Sequence, residues 1–93
     1  MGSVYLHQVQ DDLRRVRRRS DSAYRIALRA LWRLEQLGPA PDGHVKRVLP
    51  QFAPRSVCQL VFPRGGRTIL VRYEIEGDSF RVLTVGVRAS PRW

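Results

Sequence analysis

An α+β, two-layer domain, with an N-terminal helix hairpin packed on a small antiparallel sheet, is the fold that this sequence predicts. Three observations predict it. Apolar residues recur at intervals of three and four as far as Leu37. The stretch from Pro39 to Pro54 carries four prolines and a glycine, which exclude a long regular element. From Ser56 onward the apolar period is two, the period of a half-buried strand.

In chain order, Val4-Tyr5-Leu6-His7 is a short alternating segment, expected to form a first strand. Leu6, Val9, Leu13 and Val16 then share one face of a first helix. Asp11 and Asp12 fall early in it and Arg17, Arg18 and Arg19 fall at its end, each where the helix dipole favours that charge. Arg14, Arg15, Arg18 and Arg19 lie opposite the apolar stripe, either as a solvated face or as a contact surface. Ser20-Asp21-Ser22 breaks the pattern and offers caps for a second helix. That helix carries Ala23, Ile26, Ala27, Ala30, Leu31, Leu34 and Leu37, and Gly38-Pro39 ends it. So short a connection predicts an antiparallel hairpin. Tyr24, Leu28 and Trp32 add a stripe at i, i+4 and i+8, making the apolar arc wider than packing on one side needs. The surplus is either core in a small protein or a groove for a partner.

Val45 to Leu49 reads as a short extended piece inside the basic loop that also holds His44. Val57–Phe62, Thr68–Glu76 and Phe80–Val87 read as three meander strands, with turns at Pro63–Gly66 and Gly77-Asp78. Alternation puts Ile69, Val71, Tyr73 and Ile75 on one face, together with Leu83, Val85 and Val87. Phe80, Val82, Thr84 and Gly86 fall on the other, with Arg72 and Arg88. Two guanidiniums beside a depression left by Thr84 and Gly86 suit a phosphate or a partner's carboxylate. The competing reading pairs Arg72 with Glu74 or Glu76.

The 93 residues are expected to form one domain, 1–93, with a single core. Seventeen basic residues against eight acidic ones give a net charge of +9, and Lys46 is the only lysine. Nucleic acid, an acidic protein or an anionic membrane could neutralise such a chain. The arginine fork favours the first two, although a GC-rich genome would also raise arginine over lysine. Cys58 is alone, so neither an internal disulfide nor a cysteine zinc site is open to it. No apolar run approaches the ~20 residues of a membrane span, and no signal peptide is recognisable, so a cytoplasmic protein is expected. No glycine-rich phosphate loop, metal-ligand spacing or Ser-His-Asp set is present, and neither cofactor nor metal is expected. An enzyme built from this chain would work with arginine, lysine, histidine or tyrosine. That points to phosphodiester chemistry on RNA, where a 2′-hydroxyl can be the nucleophile.

The order of elements, with Leu70-Val71-Arg72-Tyr73-Glu74-Ile75 and the terminal Val82-Leu83-Thr84-Val85-Gly86-Val87-Arg88, resembles the RelE/ParE superfamily of toxins from bacterial type II toxin–antitoxin systems. The resemblance covers nearly the whole chain. It implies a toxin neutralised by a cognate acidic antitoxin, acting either as a ribosome-associated, metal-independent mRNA endoribonuclease or, as in the ParE branch, as a non-nuclease inhibitor of DNA gyrase. It implies Arg88, Arg72 and Arg67 as the catalytic or phosphate-stabilising set. Lys46, Arg47, His44 and Arg64 would hold nucleic acid, and the antitoxin would cover Tyr24, Leu28 and Trp32. The chain departs from the nuclease pattern at two places. Cys58, Leu60 and Phe62 stand where RelE-like enzymes carry lysines, and Ser90-Pro91-Arg92-Trp93 lacks their terminal tyrosine. A basic nucleic-acid-binding module without toxicity is the remaining reading.

Overall fold

The computed structural model describes residues 3–5, 7–42, 45–64 and 66–89. Its elements are β1 (Ser3–Tyr5), α1 (His7–Arg19), α2 (Asp21–Leu37), β2 (Lys46–Val48), β3 (Val57–Arg64), β4 (Arg67–Glu76) and β5 (Ser79–Ala89), with a 3₁₀ turn at Pro50–Phe52. The two-layer α+β arrangement is the predicted one. The Ser20 hydroxyl caps α2 by accepting from the Ala23 N–H at 3.1 Å. At the other end Gly38 takes φ 83°, a conformation that suits glycine, and its N–H donates to the Leu34 carbonyl.

The sheet has five strands in the order β1-β5-β4-β3-β2. β3, β4 and β5 form the predicted meander, and β2 adds antiparallel to β3 at one edge. β1 pairs parallel with β5, Ser3–Tyr5 alongside Phe80–Val82, so the sheet is mixed rather than purely antiparallel. A parallel neighbour is open to β1 because the helix hairpin and three strands separate it from β5 along the chain.

One layer of side chains forms the core. Val9, Ala27, Ala30, Leu31 and Leu34 come from the helices. Cys58, Leu60, Phe62, Ile69, Val71, Tyr73, Phe80, Val82 and Val85 come from the sheet. The faces of β4 agree with the alternation. Those of β5 correct it. Arg72 pairs with Thr84 but Tyr73 pairs with Val82, so Leu83 is an extra residue, a β-bulge. The bulge shifts the phase by one. Phe80 and Val82 face the helices before it, and Val85 and Val87 after it. Strict alternation would have turned Phe80 and Val82 to solvent; the bulge lets both halves of the strand serve one core.

Tyr73 is fully buried, its ring edge-on to Phe80 at 5.8 Å. Its hydroxyl donates to the Pro39 carbonyl at 2.9 Å, tying the centre of the sheet to the exit of α2. No helix among the described residues is long and apolar enough to cross a membrane.

Candidate nucleic-acid interface

The face of the sheet away from the helices carries the candidate site. Strand register sets its rows. Arg47, Gln59, Arg72 and Thr84 lie side by side across β2, β3, β4 and β5. Val61, Leu70 and Gly86 form the next row, and Pro63, Thr68 and Arg88 the one after. Arg72 and Arg88 therefore share the open face, as alternation predicts. They stand two rows apart, roughly 13 Å along the strands at ~3.4 Å per residue. Between them lies a shallow depression of ≈ 420 Å³ lined by Gln59, Leu70, Thr84 and Gly86, with Asp12 and Val85 at its β5 side.

The electrostatics favour an anion there. Arg72 does not pair with Glu74 or Glu76. Its Nε donates to Gln59 Oε1 at 3.3 Å, and its guanidinium lies 5.8 Å from the Phe52 ring centroid. Both glutamates are occupied elsewhere. Arg55 grips Glu74 through two bonds of 2.8 and 3.1 Å, and Arg81 Nε lies 2.9 Å from Glu76. The hydrogen bonds from Arg55 hold the Glu74 carboxyl below the usual carboxylate range. Arg72 and Arg88 are exposed and make no ion pair among the described residues.

Asp12 is the functional residue that sequence reasoning missed. It is 6% exposed. Its Oδ2 accepts the Val85 N–H at 3.0 Å, and its Oδ1 takes Arg15 at 3.2 Å. α1 begins at His7, which puts Asp12 in the second turn rather than at the dipole end. Its task is to satisfy the edge of β5 just past the bulge, where β1 has already ended. No local signal marks this bond, which joins residues 73 positions apart.

The other predicted residues divide. Arg47 joins the open face in the Arg72 row. Arg67 does not. Its side chain belongs to the helix side, where it donates to Ser22 Oγ at 3.1 Å and lines a second cleft with Arg15 and Arg19. The structure thus separates Arg67 from Arg72 and Arg88, because positions 67 and 72 have opposite parity in one strand. Arg64 pairs across from Arg67 and lines a different groove, between α2 and β3. Lys46 corrects the reading of it as a phosphate contact: it is buried, and its Nζ donates to the Gly38 carbonyl at 3.2 Å at the end of α2. His44 lies outside the described residues.

Leu28 and Trp32 are exposed, at 41% and 59%. The surplus of the wide apolar arc is therefore surface and not core. With Val9, Leu13, Leu31 and Glu35 they line a groove between α1 and α2. Tyr24 is half-buried beside them, with the Arg17 guanidinium 5.4 Å from its ring centroid.

The depression can bind and polarise an anion. Gln59 and Thr84 do not titrate near neutrality, and Asp12 is engaged by its two donors. Burial pushes the Tyr73 hydroxyl and the Cys58 thiol above their usual ranges, and both lie on the helix side. Among the described residues no group of three or more His, Cys, Asp or Glu could hold a metal ion. No family model, curated protein or solved structure matches the chain. The RelE/ParE resemblance therefore rests on the quoted residues and the order of elements.

Proposed function

We propose that this protein is a cytoplasmic toxin of the RelE/ParE type that inhibits translation by gripping RNA phosphate on the open face of its sheet. The observation that carries the reading is the pair Arg72 and Arg88, both without an acidic partner among the described residues, flanking a depression left open by Thr84 and Gly86. A phosphodiester seated there meets two cations and no unneutralised carboxylate. The net charge of +9 drives the encounter with ribosomal and messenger RNA. In cleavage, the 2′-oxygen forms a bond to phosphorus as the bond to the 5′-oxygen breaks. Water takes the 2′ proton and supplies one to the leaving oxygen. The guanidiniums stabilise the charge that gathers on the phosphoryl oxygens.

An acidic antitoxin is the proposed partner. The α1–α2 groove with Leu28 and Trp32 offers it an apolar seat, and the exposed Arg29 on α2 offers a counter-charge. Primer extension on mRNA from cells expressing the protein tests the activity: new ends are expected, and their loss in Arg88→Ala. Growth arrest without new ends would overturn it.

One observation favours a second reading. Among the described residues the depression is lined by no histidine, cysteine, lysine or tyrosine that could move a proton. A ParE-like inhibitor of DNA gyrase needs none. Loss of supercoiling in a purified gyrase reaction would support that alternative, and full supercoiling at excess protein would remove it.

A further inference from the structure

We infer that the RNA path does not end on the open face but crosses the free edge of β5 into the arginine cleft on the helix side, so that one extended single strand contacts both. The inference rests on the proposal that Arg72 and Arg88 hold RNA. Three observations carry it. First, a second cleft of ≈ 400 Å³ gathers Arg15 and Arg19, one helical turn apart on α1, with Arg67 of β4, against the junction of the two helices at Ser20. Arg19 is exposed and makes no ion pair among the described residues, and Arg67 bonds only a neutral hydroxyl. Second, this cleft and the open-face depression share Asp12, Val85 and Gly86 as lining, so they meet around β5 rather than lying apart. Third, the barrier between them is low. β1 covers β5 only along Phe80–Val82, and Gly86 presents no side chain where the two hollows join.

The chemistry selects a flexible phosphodiester chain. Cations stand on both faces of a sheet edge, so a rigid duplex or a flat carboxylate surface reaches one set only. A single strand turns at each phosphate and follows both. The Asp12 charge is offset by Arg15, which leaves Arg19 and Arg67 as the cations of the helix-side cleft.

The test is fluorescence anisotropy with 5′-labelled oligouridylates of four and twelve nucleotides, titrated with salt, on the full chain. Each phosphate contact to a single strand contributes about 0.7 to the slope of log K against log salt. Arg19→Gln/Arg67→Gln is expected to lower the twelve-mer slope by about 1.4, since two contacts are removed. It should also abolish most of the advantage of the twelve-mer over the four-mer. Arg72→Gln/Arg88→Gln should lower the same slope. If only the open-face pair matters, the edge-crossing path is overturned and the open-face site stands. If neither pair matters, the open-face reading falls and the path falls with it. Gly86→Trp is the companion variant. A Cβ at Gly86 meets no atom within 4 Å and its φ is not positive, so the backbone there accepts a side chain without strain. Because Gly86 lines both hollows, the variant should lower twelve-mer affinity more than four-mer affinity at an unchanged melting temperature; equal losses, or none, would overturn the path.

Discussion

Asp12→Ala is the substitution that most directly tests how the helix layer holds the edge of the sheet. The carboxylate is 6% exposed and accepts the Val85 N–H at 3.0 Å, immediately beyond the bulge. Removing it strands a buried backbone donor, which costs about 1–3 kcal/mol. The Arg15 ion pair adds little, because the Arg15 side chain is 66% exposed and such a pair contributes roughly 0–1 kcal/mol. A total of about 1–4 kcal/mol follows. For a domain of this size, at ~4–8 °C per kcal/mol, the melting temperature should fall by roughly 4–32 °C. Asp12→Asn keeps a carbonyl oxygen as acceptor and should lose less than half as much. Thermal unfolding by circular dichroism measures the stability. Hydrogen exchange at the Val85 amide locates the effect: that amide should lose protection in Asp12→Ala while the Tyr73 amide keeps its own. A melting point within 2 °C of wild type, or equal losses for alanine and asparagine, would refute the reasoning.

Three further outcomes follow from the same geometry. Tyr73→Phe removes the donor to the Pro39 carbonyl without changing ring packing, and should cost about 1 kcal/mol in denaturant unfolding. Leu34→Ala, at a site 1% exposed, should cost about 2–5 kcal/mol, whereas Trp32→Ala, 59% exposed, should stay within about 0.5 kcal/mol of wild type. Acid unfolding should carry a Glu74 signature. Its folded pKa lies below its unfolded value, so its contribution is present above the unfolded value and is lost as pH falls through the folded one. Glu74→Gln should flatten that part of the stability-against-pH curve, and an unaltered acid limb would count against the Arg55 pairing.

Much of the candidate site was legible because it depends on parity. Arg72 and Arg88 share a face with Thr84 and Gly86, all reached by counting along strands, and on β5 all three lie on the same side of the bulge. The resemblance groups Arg67 with that set, whereas its odd position in β4 places it with Ile69 and Val71. Lys46 obeys the same parity: next to Arg47 in β2, it pairs with the core residue Leu60 and so faces inward, where its ammonium meets the Gly38 carbonyl at 3.2 Å.

The sequence by itself determined the local elements. A 3.6-residue apolar period, a serine cap and a glycine-proline stop define α2, and a two-residue period with turn residues defines β3 to β5, because those preferences act over a few bonds. The tertiary structure alone decided what depends on residues far apart in the chain. The bulge at Leu83 put Phe80 and Val82 into the core, since one strand had to serve the helix layer along its whole length. Asp12 became a sheet-edge acceptor, since only folding brings α1 to Val85. The second arginine cleft arose where α1, the start of α2, β4 and β5 converge, a coincidence of four elements that no periodicity encodes.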